Sequence, residues 1–115
     1  MSRVSSLNES HKNLIKDFDR YLDNDCGVKY SSRLRIKTAV NHVSNYMKEN
    51  GIVNESIYEI KNIYALEKAC LNAAKLQSFH DIPSKQTLIL AMDYYCHFAA
   101  RQGWCKQSHK GIYLR

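Results

Sequence analysis

The chain has 115 residues, of which 44% are hydrophobic, enough for one folded domain with a single core. Its formal charge of +6 favours anionic partners. No apolar run approaches the roughly 18 residues of a membrane span, and the N-terminus lacks the apolar centre of a signal peptide, so we expect a soluble, cytoplasmic chain with no membrane partner.

The first predicted helix covers residues 7–25, because apolar side chains recur there every three or four positions and Gly27 follows. A second helix is predicted over residues 32–50, with Ser31 or Ser32 as its N-terminal cap. The predicted buried stripe of this second helix consists of Ile36, Ala39, Val40, Val43, Tyr46 and Met47.

Residues 52–61 are predicted to form a turn or one loose helical turn, in which Ser56 and Glu59 have the spacing of a capping box. Asn62 is expected to cap a third helix, which the apolar spacing predicts over residues 62–77.

Pro83 cannot continue a helix, and Ser84 is expected to cap a fourth helix over residues 84–102. This helix is apolar on more than one side, which predicts either a central position in a bundle or pairing with another chain. No segment shows β-alternation. The sequence therefore predicts an all-α fold, a compact orthogonal bundle of four main helices, with one domain over residues 1–105 and a basic tail over residues 106–115.

Positive charge is concentrated in two separated segments. Residues 26–50 and 82–115 each contain five basic residues and one acidic residue, whereas residues 1–25 and 51–81 each carry a net charge of −1. If the two basic segments lie side by side in the fold, they form one basic face.

The most basic stretch of the sequence is Lys29–Lys37, which contains four cations and one aromatic residue, with no acidic residue before Glu49. Helix N-termini present free backbone N–H groups and the positive end of the helix dipole, so a basic helix start is suited to a phosphate. We therefore expect a polyanionic partner, and duplex DNA is the predicted one.

Arg33 and Lys37 share one face of this helix, and Asn41 continues the line with a side chain able to read a base edge. Arg35 points away from the line and is expected to contact DNA or another element. An ordinary solvated helix face is the alternative, but such a face usually pairs its charges within the helix, and no such acid is present here. The predicted nucleic-acid-binding residues are Lys29, Tyr30, Ser31, Ser32, Arg33, Arg35, Lys37 and Asn41, with Lys85, Lys106 and Lys110 from the C-terminal segment.

No residue set in the sequence indicates catalysis or a metal. Cys96 and His97 come nearest to a ligand pair, but adjacent side chains on a helix point about 100° apart. Glu59-Ile60-Lys61 matches half of a nuclease signature without the second acid and the strands that this chemistry needs. We expect no enzyme activity, no cofactor and no metal. Reduced thiols are expected for all four cysteines, which are Cys26, Cys70, Cys96 and Cys105.

Two helices carry a resemblance to a known class of domain. The second predicted helix and the run from Ser84 to Trp104 resemble the core-binding (SAM-like) domain at the N-terminus of tyrosine recombinases and phage integrases. A related helical domain, N-terminal to some restriction endonucleases, is similar over the third quarter of the chain and the last helix. The recombinase catalytic domain is absent, so the resemblance implies a SAM-like module that binds DNA without cutting it. The recombinase resemblance is carried by Gly27, Val28, Ser31, Ser32, Ile36, Ala39, Val40, Val43, Tyr46, Met47 and Gly51, with residues 84–88 and 98–104. The similarity to the endonuclease-associated domain is carried by Ile57–Ile60, Ile63, Leu66, Ala91, Met92, Tyr95 and Phe98.

A second hypothesis belongs to a different class. Small size, basic charge and an over-apolar fourth helix also suit a phage or mobile-element protein that binds and inhibits a host protein or nuclease complex. The same helix is a candidate surface for a homodimer.

Overall fold

Every regular element in the computed structural model is a helix, and the structure describes the backbone of residues 2–104 and the side chains of residues 11–104. The all-α prediction is confirmed for this part of the chain. A π-helical turn follows the first α-helix, and a 3₁₀ turn precedes the third. In chain order the elements are α1 (Ser2–Arg20), the π turn (Tyr21–Asp25), α2 (Tyr30–Glu49), the 3₁₀ turn (Ile57–Glu59), α3 (Ile63–Lys75), α4 (Gln77–His80) and α5 (Lys85–Arg101).

The first helix is longer than predicted and ends in a wider turn. It begins at Ser2, and the five residues after Arg20 form the π turn, in which the Cys26 backbone N–H donates to the Tyr21 carbonyl at 3.2 Å. Gly27 then ends the helix with a φ of +67°, a conformation that glycine adopts without a Cβ clash.

The predicted N-terminal cap of α2 is wrong. The helix begins at Tyr30, and Lys29 holds the extended backbone of the N-cap position with no side-chain hydrogen bond. The Lys29 carbonyl already accepts the Arg33 backbone N–H at 2.8 Å. Ser31 and Ser32 therefore lie inside the first turn, where their side chains cannot cap it.

Asn62 caps α3 as predicted: its side-chain oxygen accepts the backbone N–H groups of Tyr64 at 2.9 Å and Ala65 at 3.1 Å. The helix ends at Lys75, two residues early, because Leu76 has an extended backbone with a ψ of 136°. The short α4 follows and buries Phe79 completely.

The capping box predicted in the preceding loop forms only in part. Ser56 accepts the Tyr58 backbone N–H at 3.2 Å and so caps the 3₁₀ turn. Glu59 does not return to Ser56; its carboxylate contacts the His11 ring at 3.3 Å, which links this turn to α1.

The fourth main helix, α5, occupies the centre of the bundle. It forms the most extensive helix pair of the described residues with α2, and it also packs on α3. Phe18 of α1 is fully buried between two α5 rings, with ring centroids 5.3 Å from Tyr95 and 5.2 Å from Phe98. The predicted central position of this apolar helix is thus observed, while Ile89 and Leu90 on α5 are exposed. The buried side chains of α5 are Leu88, Ala91, Met92, Tyr95, Phe98 and Ala99.

Among residues 2–104, none of the helices has both the length and the apolar character needed to cross a bilayer.

Candidate nucleic-acid interface

The two basic segments meet in the fold. α2 belongs to the first and α5 to the second, and these helices pack side by side. Of the five cations in the second segment, the described residues contain Lys85 and Arg101, and Arg101 pairs with Asp25 at 2.9 Å. The predicted site residues Lys106 and Lys110 lie outside the described part of the chain.

Two of the predicted cations have acidic partners on a different helix. The Asp19 carboxylate of α1 accepts from Arg33 Nε at 3.0 Å and from Lys37 Nζ at 3.0 Å, and Arg33 also lies 3.4 Å from Asp23. Only 14% of the Arg33 side chain and 22% of the Lys37 side chain are exposed. The acidic partners that α2 itself lacks are thus supplied by tertiary contacts with Asp19 and Asp23. Arg33 and Lys37 are therefore largely neutralised.

Asp19 responds to these contacts. Partial burial raises its pKa, but the hydrogen bonds and charges of Lys37 and Arg33 outweigh that effect and hold the pKa of Asp19 below its ordinary value of 3.8. The folded state therefore stabilises the ionised Asp19 carboxylate more than the unfolded chain does.

We expect the stabilisation that Asp19 contributes to depend on pH. Because its folded pKa is lowered, this contribution is complete above about pH 5 and is lost as the pH falls from about 4 through the lower folded pKa. Urea unfolding should show that Asp19→Asn costs about 1–2 kcal/mol at pH 7 and clearly less at pH 3. An equal cost at both pH values would contradict a charge-dependent role.

The other residues predicted to bind nucleic acid on α2 differ in exposure and in their contacts with the rest of the protein. Lys29 is exposed, and Tyr30 is 65% exposed with the Arg33 guanidinium 5.5 Å from its ring centroid. Asn41 is also exposed, but its side-chain oxygen accepts the Tyr58 hydroxyl at 2.6 Å. The oxygen that was expected to read a base edge is thus bound within the protein.

A different face of α2 borders a groove of about 390 Å³ beside α5, here named the α2–α5 groove. Four polar or basic side chains of α2 border it at intervals of four, three and four residues, the spacing of one helix face. None of its lining residues is acidic. They are Ser31, Leu34, Arg35, Thr38, Ala39 and His42 of α2, with Ser84, Thr87 and Leu88 at the start of α5.

Arg35 is the cation of this groove. Its side chain is exposed, and no acidic side chain of residues 11–104 pairs with it. Arg35 therefore lines the same groove as the start of α5 and keeps its charge available. A cation beside hydroxyl donors, with no acid to compete, is suited to phosphate oxygens.

Lys85 begins α5 next to Ser84. It is half-buried, and its ammonium group lies 3.4 Å from His80 Nδ1. His80 Nε2 in turn lies 2.6 Å from the Ala74 carbonyl. When Nε2 donates to this carbonyl, Nδ1 accepts from Lys85. The Lys85 ammonium group is thus held at His80, beside the start of α5.

Comparison of the chain with protein-family models, with curated proteins and with solved structures gives no match.

Sequence reasoning missed part of the groove. Thr38, His42, Ser84 and Thr87 line it but were not among the predicted site residues. The spacing of Ser31, Thr38 and His42 on one face was visible in the sequence, and it would have grouped them with Arg35. Their position opposite α5 depends on how the two helices pack, which local spacing does not contain. In the described part of the chain, no group of three or more His, Cys, Asp or Glu residues is arranged to hold a metal ion.

Proposed function

We propose that the protein binds duplex DNA without cutting it and that the α2–α5 groove is the contact surface. The observation that carries this proposal is an acid-free groove with an unpaired Arg35 at the meeting of the two basic segments. The resemblance to the core-binding domain of tyrosine recombinases supports the same role and remains a prediction, as does the absence of catalysis.

Binding of this kind is electrostatic first. Arg35 and the exposed Lys29 supply charge, Lys85 at the start of α5 adds a third cation, and the hydroxyl groups of Ser31 and Thr38 donate to phosphate oxygens. Along α2, the eleven residue steps from Ser31 to His42 span about 16 Å at 1.5 Å per residue. Since one strand of B-DNA carries a phosphate every 3.4 Å along the axis, this length corresponds to roughly four or five phosphates.

Salt-titrated binding tests the proposal. The full chain is mixed with a labelled random duplex, and fluorescence anisotropy is recorded between 50 and 200 mM salt. If these three cations contact phosphates, the affinity should fall by roughly 40-fold over this range. Parallel titrations with single-stranded DNA and RNA establish which nucleic acid is preferred. No binding to any duplex, or binding that salt does not weaken, would falsify the proposal.

A protein partner is the second candidate function, and exposed apolar side chains favour it. Leu71 of α3 is 63% exposed, and Ile89 and Leu90 of α5 are 40% and 48% exposed. Leu71 and Ile89 border a groove between these helices on a different face from Arg35. A pull-down from nuclease-treated host lysate separates the two functions, because a DNA-binding protein loses partners bridged by nucleic acid, whereas an inhibitor of a host protein retains its target.

A further inference from the structure

Cys70 of α3 and Cys96 of α5 meet across the bundle. Their Sγ atoms are 3.8 Å apart, although 26 positions separate them in the sequence. Both side chains are half-buried and both are free thiols. They were expected to be reduced thiols, and they lie where the core reaches the surface.

The two thiols line an open groove of about 430 Å³ between α3 and α5. Its wall is mainly apolar, with Leu71, Ile89 and Met92 beside the sulfur atoms, and Glu67 and Asp93 stand at the same groove. A small molecule can therefore approach the sulfur atoms without unfolding the protein.

We propose that Cys70 and Cys96 form a redox-active dithiol, which a disulfide of low molecular mass oxidises to an intramolecular disulfide. In the first step the Cys96 thiolate attacks one sulfur of the small disulfide, which forms a mixed disulfide and releases one thiolate. Cys70 then loses its proton and attacks Cys96 Sγ, which closes the protein disulfide and releases the second thiolate. In total, two protein thiols are oxidised, one small disulfide is reduced to two thiols, and the two protons go to the products.

The local electrostatics assign the order of attack. The hydrogen bond between the two sulfur atoms lowers the pKa of Cys96, although burial and the nearby charges of Glu67 and Asp93 oppose this change. The same hydrogen bond, together with burial and Glu67, raises the pKa of Cys70. Cys96 is thus the more acidic of the two thiols and attacks first, and Cys70 is the resolving thiol.

The described part of the chain provides an internal comparison. Cys26 is also a half-buried free thiol, but no second sulfur within residues 11–104 lies in contact with it. Among residues 11–104 it has no partner for the second step, so we expect it to stop at a mixed disulfide. Cys105 lies outside the described residues.

Oxidation joins α3 covalently to α5 around a loop that contains α4. Closing this loop restricts the unfolded chain more than the folded one, whose sulfur atoms are already in contact. The melting temperature of the oxidised protein should therefore exceed that of the reduced protein by about 10 °C.

The test uses the reduced full chain, incubated with defined ratios of oxidised and reduced glutathione and then quenched by alkylation. After trypsin, the disulfide joins the peptide of residues 69–75 to the peptide of residues 86–101, with a mass two hydrogen atoms below the sum. The equilibrium ratio gives the effective concentration of one thiol toward the other. We expect it to be at least 100-fold higher in the folded protein than in urea, where a flexible loop gives only about millimolar values.

Three variants control this measurement. Replacing Cys26 and Cys105 with alanine should leave the cross-linked peptide unchanged, whereas Cys70→Ala or Cys96→Ala should abolish it and leave a mixed disulfide with glutathione. Circular dichroism establishes that each variant is folded, and the wild-type peptide map gives the result independently of them. A folded effective concentration no higher than the value in urea, or a preferred link through Cys26, would overturn the proposal.

Discussion

Arg35→Glu is expected to weaken duplex binding by roughly 10- to 100-fold at 100 mM salt, because it removes a phosphate contact and places an acid in a groove that has none. The neutral variant Arg35→Gln should have a smaller effect and should reduce the salt dependence by the equivalent of about one phosphate contact. Anisotropy titrations of both variants against the same duplex give the two slopes directly.

Lys68→Glu is the matched control, since it changes the net charge by the same amount at another site. Lys68 is exposed on α3, and no ion pair of the described residues involves it. Its reversal should weaken binding by no more than about threefold, through the overall field of the protein alone. Equal losses for Arg35→Glu and Lys68→Glu would indicate attraction by net charge and would remove the α2–α5 groove from the proposal.

Phe18→Ala is expected to reduce the free energy of unfolding by about 3–5 kcal/mol, which is a large part of the stability of a domain of this size. Phe18 is fully buried, and its ring contacts those of Tyr95 and Phe98 on α5. Truncation removes these contacts and leaves a cavity between α1 and the central helix. Urea unfolding followed by circular dichroism measures the loss.

Phe18→Leu provides a graded control, because it retains most of the buried apolar volume. It should cost clearly less than the alanine variant, about 1–2 kcal/mol. A cost for Phe18→Leu as large as that of the alanine variant would contradict a role based on buried volume and would assign the loss to the aromatic contacts with α5. The result also concerns the charged surface, since Phe18 precedes Asp19 and its burial fixes the part of α1 that neutralises Arg33 and Lys37.

Much of the fold could be predicted because its signals are local. The predicted stripe of α2, from Ile36 to Met47, is buried throughout, and Asn62 caps α3 through its own next turn. The less accurate predictions concern helix ends. Ser31 and Ser32 have the composition of caps, but Lys29 takes the extended backbone, and the π turn after Arg20 has no periodicity of its own in the sequence.

The candidate site could likewise be predicted only in part. The concentration of cations in two segments and the grouping of Ser31, Arg35, Thr38 and His42 on one helix face follow from residue order and the helical repeat. The face of α2 that keeps unpaired cations does not follow from residue order, because the acids that pair with Arg33 and Lys37 come from the segment of α1 and the π turn.

The sequence by itself determined an all-α chain, the interior of its helices and a positive charge concentrated in two segments, since periodicity and composition act over a few neighbouring residues. Only the tertiary structure decided that Asp19 neutralises Arg33 and Lys37, that Arg35 faces α5, and that Cys70 meets Cys96. These contacts join residues far apart in the chain, and they depend on how each helix is rotated and seated against the core, which is set by the packing of all the buried side chains together.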